Sequence, residues 1–331
     1  MNSATRKVRA LGLCSGGLDS ILSALVLRRQ GIDVAWVAFE TPFFSAEKAR
    51  KAARMCKVPL TVRDITSTYL EMLKKPACGY GKYMNPCMDC HALMFRLAGE
   101  IMTAEGFDFL FSGEVLGQRP MSQTMPSLRY VEKHSGWRGR ILRPLSAKRL
   151  APTAMETDGL VDREQLLDLS GRGRKPQIQL AAEMGVSEYP APAGGCLLTD
   201  KGHSRRLRDL FDHQPEYSVN ELHLLKFGRH LRLGPATRII VGRTQFDNQK
   251  IVDHHDPRAH MLVKVCDHPG PVTLVPLDID DELLHRAAAV CAGYAKTPAG
   301  VEVTVRCESA AGVRILAVRP LAPAAVTEWM I

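Results

Sequence analysis

The chain has 331 residues, 45% of them hydrophobic and 24% charged, with a formal net charge of +9. Such a length exceeds one ordinary core, so two or three domains are expected. The composition is that of a folded soluble protein, and no stretch reaches the roughly 18 apolar residues needed to cross a bilayer, so no membrane-spanning helix is expected.

The opening MNSATRKVRA is basic, but Ser15-Gly16-Gly17 and Asp19 cut short the apolar run after it, so no secretory signal is expected. A cytoplasmic location without membrane contact follows as an expectation. In that reducing compartment the nine cysteines are expected to be buried, metal-bound or catalytic rather than paired as disulfides. The positive balance leans towards a polyanionic partner.

In chain order, residues 7–14 (KVRALGLC) read as a buried strand and 18–30 as a helix, with Gly31 placed as a C-cap. Residues 33–40 (DVAWVAFE) are a second strand, Ser45 caps a basic helix over 45–57, and 59–65 (PLTVRDI) is a third strand. After a loop come a helix at 91–106 and a strand at 107–113. This alternation predicts an α/β fold, a doubly wound and mostly parallel sheet covered on both faces. Such sheets bind ligands beyond the carboxyl ends of their strands, near a topological switch point. Residues 114–175 are rich in Arg, Gly and Pro and read as an irregular insert, followed by a helix at 175–185. From about 203 the texture changes to a basic helix and the β-branched runs TRIIVGR, HMLVKVC, PVTLVPL, VEVTVRC and VRILAVR. Two domains are expected, 1–202 and a basic C-terminal α+β domain at 203–331.

A strand, a glycine-rich turn and a helix N-terminus together make an anion site, because backbone N–H groups converge there and the helix dipole favours negative charge. The turn matches neither GxxxxGK[ST] nor GxGxxG. Ser15-Gly16-Gly17-Leu18-Asp19-Ser20 instead resembles SGGxDS, the signature of the PP-loop ATP pyrophosphatases. That resemblance implies cleavage of ATP between its α- and β-phosphates. Ser15, Gly16, Gly17 and Ser20 would hold pyrophosphate, with Asp19 supporting the loop or its Mg2+ and counted among the catalytic residues. Phe39 and Gly113 are the further residues expected at the nucleotide. The alternative is an ordinary strand–helix turn with Asp19 as a first-turn acid.

Cys87-Met88-Asp89-Cys90-His91 admits four readings. Covalent haem attachment belongs outside the cytoplasm. A zinc site lacks a second Cys-x-x-Cys, although His91 could serve. A thioredoxin-like dithiol belongs at a strand–helix junction, whereas a proline-bearing loop precedes this one. In the fourth reading Cys196 joins the pair, brought in by the glycines of PAGGCLLTD. Cys87, Cys90 and Cys196 could then ligate three irons of a [4Fe–4S] cluster, leaving one iron open. The same trio could equally run a persulfide relay, with Cys196 carrying sulfur and Cys90 resolving it. Cys56, Cys266, Cys291 and Cys307 read as buried structural residues, Cys14 as packed in the first strand, and Cys78 as ambiguous.

With these elements in place, the first 200 residues resemble the tRNA-thiolation branch of the PP-loop superfamily. Asn85-Pro86-Cys87-x-x-Cys90 is similar to its N-P-x-x-x-C segment, LRPLSA to its F-P-L-G, and AGGCLLTD to the segment around its sulfur-carrying cysteine. FSGEVLGQRPMSQ occupies the place of its T-G-H-Y and D-Q-S stretch, with Glu114 replacing the histidine. Cys87 stands where an Asp is often found, which moves the trio towards the all-cysteine set of the iron–sulfur-dependent thiolases. LKFGRHLRL and RIIVGRTQFDN resemble the RNA-binding module of NFACT-type proteins, over roughly 220–320. The resemblance implies an ATP-dependent RNA thiolase, acting on a uridine of tRNA: the base carbonyl is adenylated, pyrophosphate leaves, and sulfur is inserted. ATP, Mg2+ and a [4Fe–4S] cluster are the expected cofactors. RNA, a sulfur donor (a persulfide protein or sulfide) and a second copy in a homodimer are the expected partners. Arg205, Arg206, Arg208, Arg229, Arg232, Arg238 and Arg243 would contact phosphates. His254, His255 and His260 read as a polar turn rather than a metal site. Two alternatives are another PP-loop nucleobase-modifying ligase or amidotransferase using ammonia, and an RNA-binding protein without catalysis.

Overall fold

The apolar run before the glycines forms β1 (Arg9–Leu13), and the run after them forms α1 (Leu18–Arg29). α1 buries residues around most of its circumference, from Leu18 to Leu27, as suits a helix packed deep against a sheet. It ends at Gln30, with Gly31 at φ +77° where a left-handed residue terminates it. The computed structural model describes residues 6–191, 196–298 and 300–331, which fall into two units, Met1–Thr199 and Asp200–Ile331.

The first unit continues with β2 (Asp33–Glu40), α2 (Glu47–Cys56), β3 (Leu60–Asp64), α3 (Thr66–Lys74), α4 (Cys87–Glu105) and β4 (Phe109–Ser112). It then adds α5 (Met125–Ser135), β5 (Ile141–Leu142), α6 (Ala154–Thr157) and α7 (Lys175–Glu183). Every strand pairing in its sheet is parallel, in the order β3-β2-β1-β4-β5. The order reverses beside β1, so the crevice for a ligand opens at the carboxyl ends of β1 and β4. Strands covered on both faces must be apolar throughout, and Ala10, Leu11, Leu110 and Phe111 are all buried.

Four local expectations need correction. Ser45 does not cap α2: the N-cap is Ala46, with no side-chain bond, and Lys57 ends the helix at φ 50°. The loop expected before residue 91 contains α3, and α4 starts at Cys87 rather than 91, with Pro86 as its N-cap. A proline is compatible with a helix start, where its missing N–H has no intrahelical partner to lose. The insert at 114–175 is less irregular than expected. α5 lies within it, and Thr124 Oγ1 accepts from the Ser127 N–H at its start (3.3 Å). α6 opens on a capping box between Thr153 and Glu156.

The second unit runs α8 (Lys201–His213), α9 (Val219–Leu224), β6 (Arg229–Arg232), β7 (Arg238–Val241), α10 (Gln245–His254), β8 (His260–Val265), β9 (Thr273–Pro276), α11 (Asp281–Gly293), β10 (Val303–Ser309) and β11 (Gly312–Val318). Its antiparallel sheet has the order β11-β10-β8-β9-β7-β6. α11 covers one face, where Ala287, Ala288 and Cys291 join Ile239, Val241, Val263 and Val305 in one core. On the opposite face Ile240 and Leu274 meet Leu224 of α9 and Ile251 of α10. Side chains alternate across a strand, so Ile240 faces away from its two neighbours in β7. Among the described residues no helix is long and apolar enough to cross a membrane.

Candidate active site

The turn between β1 and α1 is shaped by two glycines in different ways. Gly16 sits at φ +72°, and a Cβ there would lie 2.2 Å from the backbone carbonyl carbon of Lys48 in α2. Gly17 is the N-cap of α1 and has no side-chain cap, and a Cβ added to it would meet only Ser15 Oγ, at 3.4 Å. The fold therefore requires glycine at 16, whereas at 17 it leaves the helix N-terminus bare. The Gly16 N–H donates to Cys14 Sγ at 3.3 Å and the Gly17 N–H to Ser15 Oγ at 3.4 Å. Both are weak interactions that a phosphate oxygen could replace. Ser20 Oγ donates to the Gly17 carbonyl at 2.8 Å and so braces the turn from inside the helix. Ser15 is exposed.

Replacing Gly16 with alanine should lower stability by about 2 kcal/mol, because a Cβ strains the left-handed backbone and must also displace α2. Urea unfolding would measure it, with Gly173→Ala as the control. A Cβ at Gly173 meets nothing within 4 Å, so that change should stay within about 0.5 kcal/mol of the parent.

Gly113, just past β4, closes on the same turn: a Cβ there would lie 2.4 Å from the Asp19 carbonyl carbon. Phe39, near the end of β2, is buried at 5% exposure. Asp19 itself is half-buried, and Gln118 Nε2 donates to its Oδ2 at 2.9 Å. Its Oδ1 is buried without a hydrogen-bond partner. Burial pushes the carboxyl pKa up, offset in part by Gln118, Arg174 and Arg119. A buried carboxylate oxygen without a well-formed hydrogen bond, at the N-terminus of α1, suits a hard cation such as Mg2+, which takes oxygen ligands. Gln118 and Cys14 were not anticipated as parts of this site.

Cys87 and Cys90 lie in the first turn of α4, three residues apart and so on one face. Asn85 Nδ2 donates to Cys87 Sγ at 3.2 Å while its Oδ1 accepts the Tyr83 N–H, also at 3.2 Å. Asp89, between the cysteines, accepts from the Cys78 N–H (2.8 Å) and the Tyr130 hydroxyl (2.7 Å). Cys196, distant in sequence, shares the surroundings of the pair. Burial pushes the Cys90 thiol far up, and the charges of Cys196 and Cys87 push it further. Burial likewise raises Cys196, with Cys87 adding to it. The buried Tyr69 hydroxyl of α3 lies towards Cys90 without a well-formed hydrogen bond, and burial followed by these same thiols opposes its ionisation. All three cysteines are part-buried and free, whereas Cys78 is exposed. The glycines at 194 and 195, which the sequence marks as letting Cys196 approach, lie outside the described residues. Among the described residues no group of three or more His, Cys, Asp or Glu side chains is arranged to hold a metal ion.

Behind the thiols stands a buried charge network. Glu114 accepts from Arg143 Nε at 3.0 Å and from Ser112 Oγ at 3.1 Å, and its Oε1 is 2.9 Å from His91 Nδ1. Burial alone would raise the Glu114 pKa, but Arg143 and His91 together bring it down to about 2. Arg143 also pairs with Glu132. The network fixes His91, and with it the first turns of α4, against the end of β4. His91 Nδ1 is thereby engaged, which leaves its other nitrogen as the only one open to a metal.

The second unit corrects part of the expected phosphate-binding surface. Arg238 is buried and paired with Glu221, and Glu221 also takes His260 Nε2 at 2.6 Å. Arg238 is therefore a core ion-pair residue rather than a phosphate contact. Arg232 pairs with Asp209, Arg243 with Asp247 at 2.8 Å, and the Arg229 guanidinium stacks over Tyr294 at 4.6 Å. Arg206 is half-buried, while Arg205 and Arg208 are exposed. Cys291 and Cys307 are buried as expected, Cys56 only partly, and Cys266 is exposed.

Two family models match the chain: "Thiamine biosynthesis protein (ThiI)" over residues 5–149 and "NFACT protein RNA binding domain" over residues 228–330. A "Probable tRNA sulfurtransferase" of Thermoanaerobacter sp. (strain X514) is 34% identical over 136 residues, covering 38% of this chain and 34% of the relative. A "tRNA sulfurtransferase" of Desulfurococcus amylolyticus is 30% identical over 149 residues, covering 41% of this chain and 29% of the relative. The chain thus spans about a third of the length of these curated relatives. A crystal structure of a 4-thiouridine synthetase–RNA complex with bound ATP aligns with a TM-score of 0.35 and 21% identity, over 54% of this chain and 52% of that one. The chain is therefore similar to the PP-loop tRNA-thiolation proteins over residues 5–149, and to NFACT-type RNA-binding domains over residues 228–330.

Proposed function

We propose that the protein is an ATP-dependent tRNA sulfurtransferase that makes thiouridine. The observation that carries this reading is the placement, in one unit, of a bare helix N-terminus at Gly17, a buried Asp19 carboxylate oxygen and three part-buried cysteines, of which Cys90 lies within electrostatic reach of both Cys87 and Cys196. ATP would lay its phosphates on the Ser15–Gly17 turn, with Ser20 bracing it and Asp19 holding Mg2+. The uracil carbonyl oxygen attacks the α-phosphorus, the α–β bridging bond breaks and pyrophosphate leaves. Adenylation turns a poor leaving group into AMP. A sulfur nucleophile then adds at the same ring carbon, and the C–O bond breaks to release AMP. Phosphate charge is stabilised throughout by the loop amides and the dipole of α1.

The finer reading gives Cys87, Cys90 and Cys196 a [4Fe–4S] cluster. The donor set suits it in kind: three part-buried thiols share one place, where burial opposes the ionisation of Cys90 and Cys196 until a cation joins them. A four-iron cluster is larger than one ion, so its ligands stand further apart than those of a single metal. Bound there, it would supply an iron without a cysteine ligand, able to hold sulfur. Asn85 would support Cys87, and the Glu114–His91 contact would orient the turn that carries Cys90. The second unit would hold the RNA, as its likeness to an RNA-binding domain suggests.

The test is the fate of ATP. Incubated with ATP, Mg2+, sulfide and unmodified tRNA, the protein should form AMP and pyrophosphate in step with thiouridine. Asp19→Asn should stop both. ADP as the main product, or AMP formation without any thiolated nucleoside in the digested tRNA, would overturn the assignment.

A further inference from the structure

Phe246, Lys250 and His254 recur every four residues along α10 and so share one face. Phe246 is 62% exposed, more than any other large apolar side chain among the described residues. It is nevertheless built into a row of rings. Phe246 meets Phe227 in a T-shaped contact with centroids 6.0 Å apart, Phe227 stacks on His254 at 6.0 Å, and His254 stacks on His223 of α9 at 4.9 Å. The row starts bare at Phe246 and ends part-buried between two helices. Burying a phenylalanine ring is favourable, yet the core beneath, closed by Ile251 and Leu274, does not use this one.

A cation stands at the bare end. Lys250 Nζ is 5.9 Å from the Phe246 centroid, and Arg243 lies just before α10 with 45% of its side chain exposed. Lys226 Nζ is 2.9 Å from His223 Nδ1 at the other end of the row. Two carboxylates share the neighbourhood, Asp253 on Lys250 at 2.9 Å and Asp247 on Arg243. Burial and the Lys226 charge push the imidazoles down, His223 to about 4, so near neutral pH both rings are uncharged and stack as plain aromatics.

We propose that this face is a base-stacking platform: an unpaired RNA base lies against Phe246 while Lys250 and Arg243 meet the phosphates on either side of it. Alternating flat apolar bases and negative phosphates are what an exposed ring set among cations complements. A duplex, with its bases already stacked, offers no free face. The proposal rests on the reading of this unit as RNA-binding and adds which part of an RNA it takes and where.

The test uses the full chain, a single-stranded RNA carrying 2-aminopurine and a blunt RNA duplex of equal length. The parent should bind the single strand at least about 10-fold more tightly than the duplex and quench the 2-aminopurine. Phe246→Ala removes an exposed side chain, so the fold should be kept, which circular dichroism would verify. It should weaken single-strand binding about 10-fold and abolish the quench, with the salt dependence unchanged. Phe246→Trp should retain both, and Lys250→Gln should instead reduce the salt slope by about one. If the parent binds RNA but Phe246→Ala leaves affinity and quench intact, the platform is refuted and the RNA-binding reading survives. If the parent binds neither RNA, both fall.

Discussion

Cys90→Ser should lower sulfur transfer to tRNA by more than about 100-fold while the chain still folds. Serine nearly matches cysteine in size, but its hydroxyl neither ligates iron as a thiolate does nor carries a persulfide sulfur. Cys87→Ser and Cys196→Ser should behave alike, because both residues lie within electrostatic reach of Cys90 and all three are part-buried. Cys266, exposed in the other unit, supplies the control, and its serine variant should retain full activity. Mass spectrometry of nucleosides from treated tRNA gives the yield of thiouridine. Iron analysis of anaerobically prepared protein separates the two sulfur chemistries. Loss of iron in each of the three variants, with about four irons and four sulfides in the parent, supports the cluster. With a donor protein's persulfide as the sulfur source, passing its outer sulfur to the Cys196 thiol, full activity in a parent that holds no iron would rule the cluster out and leave the relay. In that relay Cys90 attacks Cys196, releases the thiolated base and forms a disulfide that an added thiol reduces.

Arg143→Met should destabilise the first unit by about 3–5 kcal/mol, the cost of leaving a buried carboxylate without its main counter-charge. Arg143 is 2% exposed and joins Glu114 to Glu132, so its loss strands one charge in the interior and frees another near the surface. Pairing the change with Glu114→Gln should recover part of the loss, since a neutral amide has no charge to compensate. The same network sets an acid limit. The Glu114 pKa is depressed to about 2 from an ordinary 4.5, so its contribution is complete above the ordinary value and declines as pH falls towards 2. Over that interval the loss is on the order of 3 kcal/mol. Thermal unfolding of the parent between pH 5 and 3 should show a falling first transition, and in the Glu114→Gln chain that slope should flatten. An unchanged slope would mean that other carboxylates govern acid unfolding.

The parallel sheet was legible because its strands are continuous apolar runs, and the turn at Ser15–Gly17 because two adjacent glycines at a strand end have few other uses. The start of α4 is hidden in the sequence because Pro86 signals a loop, yet a proline at the N-cap costs a helix nothing. α3 and α5 were missed, being short helices without long apolar stripes in segments that composition marked as loop. β6 escaped because Leu231 is the only apolar residue in Arg229-His230-Leu231-Arg232. The largest error of kind concerns arginine. Residue type and local charge do not reveal partners, and only the tertiary structure shows that Arg238 meets Glu221 and Arg232 meets Asp209. Gln118 was missed for the same reason, since its contact with Asp19 spans the chain from α1 to the segment after β4.

The sheet order also governs the sequence of events in folding. β1 and β2 are separated by one helix and can pair early, as a local unit with little loop entropy to overcome. β4 must dock on the other side of β1 after four helices have intervened. Until it does, Gly113 is absent from the side of Asp19 and the crevice has one wall. Cys196 arrives later still, near the end of the first unit. On a chain growing from its N-terminus the Ser15–Gly17 turn has been made long before Cys196, so the turn and the three cysteines come together only at the last step. A ligand that spans both walls would hold that late arrangement against reopening, and shield β1 and β4 from pairing with the wrong neighbour.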